Sequence, residues 1–429
     1  LIFWLSACAP EAVDAVGAVN LALTSVGADP WANADTMRVV VRRGDVVVVE
    51  AEATPGESFE LPGLADFGEV EIDVLGLSGD EVISAGRTGP IAVGAGRTAA
   101  IEVLVLQVNT AIPLPFDVSQ ARTGAVAVRG LDGRVRFWGG REGRDSPTSS
   151  GDVFSLANGF TDIADTLPVP VAGAASRTLP DRETWIAGGA SQATANSRLV
   201  RLDAYGLPDL DFDAGIPLDA ACVATVDWDR AAILAADPGD PTSSYAWTAP
   251  QITQLTARPP RVAACGGLDD GRVITAGDEG GWGVLDVDAD QFTSFASPLV
   301  LDGTLAVEAG DTVWFVGGTD GAVTFGRGIP VTAAGPDRGI DALDHPRAWA
   351  SHLPYDDRHV VIFGGFSDAS AGVPEKTAEW WQIGGASALT LPVPLARPTA
   401  VVMEGGTVLF RGASDDGPAA YLVQPWLEP

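Results

Sequence analysis

His345, His352 and His359 are the only three histidines in the chain, and each stands seven residues from the next. Positions seven apart on one strand face opposite sides, and Pro354 with Asp356-Asp357 sets a turn between the last two. The spacing therefore predicts no shared ligand set and no metal site. Cys222 and Cys265 come next. They precede two similar apolar runs by thirteen and eleven residues, counted to Ala235 and Ala276. Two readings stay open: a disulfide across neighbouring strands, if the Cα atoms come within roughly 7 Å, or two small buried thiols. Two acidic runs follow, Asp209-Leu210-Asp211-Phe212-Asp213 and Asp286-Val287-Asp288-Ala289-Asp290. Alternating oxygens near a Gly turn could wrap Ca²⁺, which takes about six to eight oxygen ligands, and Asp209, Asp211 and Asp213 are the calcium candidate. The run lacks the bidentate Glu that ends an EF-hand loop, and turn aspartates accepting backbone N–H bonds are the stronger reading.

No Gly-rich phosphate loop, Gly-x-Ser-x-Gly elbow or His-Glu-x-x-His occurs. A Ser or Cys nucleophile needs a neighbouring base, and the histidines lie far along the chain from both cysteines. With 57 Asp and Glu, paired carboxylates are the acid/base chemistry that the composition leaves open. The formal net charge of −31 repels phosphate backbones and anionic headgroups, which excludes nucleic acid as a partner.

The elements that would position these groups are short strands. Gly (51) and Pro (30) are too frequent among 429 residues for a mainly helical protein. No apolar run approaches the roughly 18 residues of a membrane-spanning helix. Over residues 16–108, β-branched runs appear at Val16 to Leu23, Met37 to Val41, Val46 to Ala51, Val70 to Leu77, Glu81 to Ala85 and Ala99 to Val108, divided by turn residues. They predict a small β-sandwich. With Ser58 to Leu64 between them, they resemble the carboxypeptidase-regulatory-like or Ig-like modules of surface lipoproteins.

From about residue 109 an apolar run ending in two small residues recurs. It is seen at Phe137-Trp138-Gly139-Gly140, Trp185 to Gly189, Ile233 to Ala236, Ile274 to Gly277, Trp314 to Gly318, Ile362-Phe363-Gly364-Gly365 and Leu409 to Gly412. A period of about 45 residues suits a four-stranded propeller blade. Arg122, Arg177, Arg261, Arg347 and Arg397 open the small-residue strands ahead of these anchors. The order resembles the kelch repeat, whose paired glycines end the second strand. It implies seven blades over 109–429, the last completed by Asn109 to Leu114, while Arg141 to Ser150 reads as a polar loop. Nine tryptophans, Trp138, Trp185, Trp228, Trp247, Trp282, Trp314, Trp349, Trp380 and Trp381, lie on or beside strands and read as packing between sheets. One on a loop rim could stack a sugar or a partner's apolar anchor. Kelch-like propellers include the galactose-oxidase type, with copper held by histidines and tyrosines. Tyr205, Tyr245, Tyr355 and Tyr421 are scattered and do not match that set.

The first residues, Leu1 to Ala7 and then Cys8, resemble a bacterial lipobox at the end of a signal peptide. The resemblance implies acylation of Cys8, with residues 1–8 a signal remnant, 9–15 a linker, and Ala9 favouring the outer membrane. The expected protein is thus all-β: an N-terminal β-sandwich followed by a seven-bladed kelch-like β-propeller, exported and lipid-anchored. It would bind a protein or polysaccharide without cofactor or catalysis, meeting the membrane only through the lipid. The alternatives are an exported enzyme that uses paired carboxylates on a glycan or polymer, and a calcium-dependent adhesion module.

Overall fold

A computed structural model of the chain describes residues 4–5, 18–55, 68–93, 98–118, 122–142, 146–178, 182–191, 194–227, 230–236, 242–248, 251–259, 262–277, 282–295, 302–368, 370 and 372–427. Cys8, Trp228, Arg261 and Ser58 to Leu64 lie outside them. The described residues form an all-β protein of many small antiparallel sheets. Two compact units are resolved: residues 1–115 with 402–409 and 420–429, and residues 116–401 with 410–419.

In the first unit, Ala18–Thr24 runs parallel to Thr98–Leu104 in a three-stranded sheet. A six-stranded sheet is built on Thr36–Arg43 and Gly68–Ser78. Both sheets turn their alternate apolar residues into one core, with Leu21, Val103, Val39, Val41, Ile72 and Val74 almost fully enclosed. This is the period-two pattern of half-buried strands. The run from Ala99 to Val108 is two strands and not one. Thr98–Leu104 stays in the small sheet, Val105 drops into the core, and Leu106–Gln107 joins Glu81–Arg87 of the large one. Asp73, buried in the large sheet, is held by Arg42 at 2.8 Å and Arg87 at 2.5 Å. Ala111–Pro113 pairs antiparallel with Gly417–Val423, Ile112 standing opposite Leu422.

The rest of the chain is a succession of meanders of four strands, with a short fifth strand, Ile340–Asp341, added beside Arg327–Thr332 in one of them. The first runs Thr123–Arg129, Val135–Glu142, Ser146–Ser155 and Gly159–Val171. Pro208–Thr225 is shared, ending the second meander and opening the third, so these two form one continuous sheet. Val262–Gly267, Leu305–Ala309, Ser351–Pro354 and Ala396–Val402 open the fourth, fifth, sixth and last. Each apolar anchor falls in the second strand of its meander. One expectation needs correcting. Arg141 to Ser150 is not a polar loop, because the second strand continues to Glu142 and the third begins at Ser146, with Arg141 opposite Pro147.

Consecutive meanders pack face to face through large side chains. Trp138 lies against Ile186 and Val200 of the second meander. Trp185 meets Trp247 of the third at 4.2 Å between ring centroids, and Trp282 meets Phe315 of the fifth at 4.9 Å. Trp314 and Trp381 join the fifth to the sixth, and Phe363 and Phe410 join the sixth to the last. Burying roughly 200 Å² for each such ring contributes about 5 kcal/mol before entropy is counted. Where an anchor ends in two glycines, both take positive φ, as at Gly139 (66°), Gly140 (87°), Gly364 (65°) and Gly365 (80°). A Cβ on Gly365 would lie 2.5 Å from the Ala348 carbonyl oxygen, so the neighbouring chain needs the missing side chain.

Cys222 and Cys265 form a disulfide, with Cα atoms 5.9 Å apart, across the opening strands of the third and fourth meanders. Closing a span of 43 residues removes about 4 kcal/mol of unfolded-state freedom in the chain-entropy treatment. Reduction, or replacement of both cysteines by serine, is expected to lower unfolding free energy by up to about that amount in guanidinium titrations. An unchanged midpoint would show that the bridge constrains nothing.

Candidate functional site

The opening strands of four meanders bring together four groups that lie far apart in sequence, and His352 stands on the opening strand of another. Arg177 belongs to the second, Thr225 to the third, Gly267 to the fourth, Glu308 to the fifth and His352 to the sixth. Short opening strands with small residues permit this. A Cβ on Gly267 would stand 2.1 Å from the Thr225 carbonyl oxygen, so only glycine lets those two strands close up. The Gly267 N–H then donates to Glu308 Oε1 at 2.7 Å. Arg177 donates from Nε to Thr225 Oγ1 at 2.9 Å and from Nη2 to Glu308 Oε2. Burial pushes the Glu308 carboxyl up, and the Arg177 charge and the Gly267 N–H offset that only in part. Burial, aided by the Arg177 charge, pushes the His352 imidazole down to about 4, so it is neutral at physiological pH.

Two other arginines do a different job. Arg122 lies four residues before Val126, which pairs with Trp138, and Arg347 lies four before Ser351, which pairs with Phe363. The two are equivalent in position, and their Nη groups make corresponding bonds. Arg122 Nη1 donates to the Gly139 and Ser150 carbonyls at 3.2 and 3.1 Å, and Nη2 donates to Ser150 Oγ at 2.9 Å. Its guanidinium also grips Asp152 at 2.8 and 3.0 Å. Arg347 repeats this with the Gly364 carbonyl (3.4 Å), the Thr377 carbonyl (3.1 Å), Thr377 Oγ1 (2.8 Å) and Glu379. Glu379 also accepts the N–H groups of Asp344 (2.8 Å) and His345 (3.1 Å). Arg177 sits two residues past Ala175, the position matching Val126, so it is no member of this set and is released to reach across the meanders. The signal that separates them is the partner pattern Ser150-x-Asp152 and Thr377-x-Glu379, which the second meander lacks at Arg198 and Val200.

Asp152 also receives Arg411 of the last meander at 2.5 Å, and the Arg411 guanidinium lies over Phe137 and Phe160 at 5.1 and 4.7 Å. Burial drives the Asp152 carboxyl up, but the Arg122 hydrogen bond and the two guanidinium charges outweigh it and hold it below the usual range.

The calcium candidate is not assembled into a cage. Asp209, Asp211 and Asp213 share one extended strand, where alternate residues stand about 6.6 Å apart, and they line up instead of converging. Asp209 is bound by Arg201 at 2.7 Å and Asp211 by Arg198 at 3.0 Å. In the second acidic run, Asp286 accepts the Ala289 N–H at 2.8 Å, Asp288 pairs with Arg230 at 2.6 Å, and Asp290 accepts the Thr256 and Ala257 N–H groups at 2.9 Å each. His345 stands 3.8 Å from Glu375 and His359 stands 3.0 Å from Asp356. Among the described tryptophans, Trp138, Trp185, Trp247, Trp282, Trp380 and Trp381 are fully enclosed, whereas Trp349 is 47 % exposed.

No family model matches the chain, and no curated protein does. Solved structures resemble it. One is a fungal alcohol oxidase of the AA5 family in complex with copper, with a TM-score of 0.59 at 16% identity, covering 74% of this chain and 77% of that one. At that identity the likeness concerns the fold alone. Among the described residues no group of three or more His, Cys, Asp or Glu is placed to hold a metal ion.

Two outcomes follow for stability. Glu379→Ala strands Arg347 as a buried unpaired charge and should cost about 3–5 kcal/mol in denaturant unfolding, whereas Asp415→Ala, at the exposed pair with Lys376, should cost less than about 1 kcal/mol. The depressed His352 pKa means that the unfolded chain binds more protons between its ordinary value of 6.5 and about 4, so this group's contribution is present above 6.5 and lost as pH falls toward 4. His352→Gln is expected to remove that part of the acid dependence. A variant whose pH profile superposes on the parent's would refute it.

Proposed function

We propose that the chain is a surface-anchored binding or scaffolding lipoprotein. In this reading Cys8 carries the lipid, the first unit is a β-sandwich spacer, and the meanders are the seven blades of a kelch-like propeller that offers loop-built faces to a protein or polysaccharide partner. Ala111–Pro113 supplies the outer strand of the last blade. The observation that carries the ring is the run of packed neighbours ending with Arg411 of the last meander on Asp152 of the first. A disulfide is at home in an oxidising compartment, which supports export. Binding is favoured over catalysis because Arg177 and Glu308, the charged groups where the opening strands meet, engage each other, Thr225 and Gly267.

A second reading, an exported enzyme acting on a glycan or polymer, draws on the same place. A Glu308 carboxyl pushed up by burial and a His352 imidazole pushed down by burial are the kinds of perturbed group that active sites gather. Mass spectrometry of the mature N-terminus from the native host should find acylated Cys8, and cross-linking on intact cells should capture a partner. A mature chain that starts elsewhere defeats the anchor. Turnover of a polymer substrate that Glu308→Gln abolishes would replace the binding reading with the enzyme.

A further inference from the structure

The large apolar side chains that remain exposed among the described residues are Val46, Val47, Leu131, Tyr205, Val323, Trp349 and Val373. Three of them, Val323 (55 %), Trp349 (47 %) and Val373 (47 %), lie on one strip stitched together by backbone hydrogen bonds. Thr319, which opens the turn carrying Val323, exchanges bonds of 2.8 and 2.9 Å with Asp302. Gly303 accepts the Trp349 N–H at 2.7 Å, and Ala348 exchanges bonds of 3.1 and 2.9 Å with Phe366. Phe366 belongs to a small hairpin in which Asp368 is opposite Val373.

Trp349 is fixed in an unusual way. Its φ is 51°, a region that a bulky side chain rarely enters and that costs about 1–3 kcal/mol. The strained backbone lays the indole flat on Gly303, where an added Cβ would come within 2.7 to 2.9 Å of three ring atoms. Phe366 meets it at 81° with centroids 6.1 Å apart. One face is thus covered by backbone, one side is braced, and the remaining face supplies the exposure. Exposed carboxylates punctuate the same strip at Asp302, Asp320 and Asp368, on a chain of net charge −31.

We infer that this strip is a docking site for a basic amphipathic segment of a partner protein, with a Lys or Arg cation seated on the Trp349 face and apolar residues over Val323 and Val373. The ring quadrupole attracts a cation, most strongly for Trp, and the aspartates supply matching charge. An anionic ligand is disfavoured by the same charges. The rigid backing means that little side-chain freedom is lost on binding. The inference deepens the binding reading above and rests on it.

The test uses the full chain and three probes in calorimetric titrations: an octapeptide alternating Lys and Leu, the same peptide with Glu for Lys, and a neutral glucose hexasaccharide. The Lys–Leu peptide should bind, more weakly as salt rises, and the Glu–Leu peptide should not. Trp349→Ala and the double variant D302N/D368N should each weaken it about tenfold, and Tyr205→Ala, on another surface, should leave it within about twofold. The double variant changes exposed side chains only, so it still decides the matter if Trp349→Ala folds poorly. Lys–Leu binding that survives both variants overturns the site while leaving the binding reading intact. Hexasaccharide binding that Trp349→Ala abolishes overturns the basic partner in favour of a sugar.

Discussion

A guanidinium buried at the mouth of a meander holds the repeat together. Arg122 and Arg347 each join three strands of their own sheet, taking the carbonyl of the first glycine of the pair, a Ser or Thr on the third strand, and the acid two residues further on. The paired glycines and the arginine depend on each other. Positive φ at Gly139 and Gly364 turns a carbonyl out of the ladder, and a buried carbonyl without a partner is costly. The arginine supplies that partner, and the acid neutralises the arginine. Where the glycine pair is absent, as at Arg411-Gly412, neither residue takes positive φ and the strand continues extended to Ser414.

Asp152 extends that local logic to the packing of one meander on another. Its carboxylate is shared by Arg122 of its own sheet and Arg411 of the last. Phe137 and Phe160 lie beneath the Arg411 guanidinium, and their ring faces add attraction for the cation. Removing Asp152 would therefore unbalance two sheets at once, while removing Glu379 unbalances one.

Much of this is legible in the amino-acid sequence, because strand period and turn chemistry leave marks at fixed intervals. The anchors mark each second strand, and Thr110 to Leu114 marks a strand with no partner nearby in sequence, which Gly417–Val423 provides. What the sequence hides is whatever depends on which end of a strand a side chain occupies. Arg122, Arg177 and Arg347 look alike, yet register puts Arg177 half a strand further along, and the change of position converts a clamp within one sheet into a bridge to Glu308. Arg141 to Ser150 reads as a loop because it is polar, but Ser150 is polar in order to meet Arg122. Glu308 carries no sequence signal, since its role comes from a strand 131 residues away.

The charge balance separates interior from exterior in the same terms. The buried arginines Arg122 and Arg347 are matched by Asp152 and Glu379 and Arg136 by Asp132, and several others are held at the surface by neighbouring aspartates, as Arg201 is by Asp209 and Arg230 by Asp227. With 57 acids to 26 bases, even one-to-one pairing of every cation would leave most carboxylates without a cation of their own. The excess must then be borne where water can solvate it, in turns and loops, which is also where the strained Trp349 lies. A field of one sign over an aromatic face is a selective arrangement, because it rejects polyanions at long range and rewards a cation at short range. Packing that needs arginine inside and composition that supplies few of them thus jointly determine the kind of surface this chain presents.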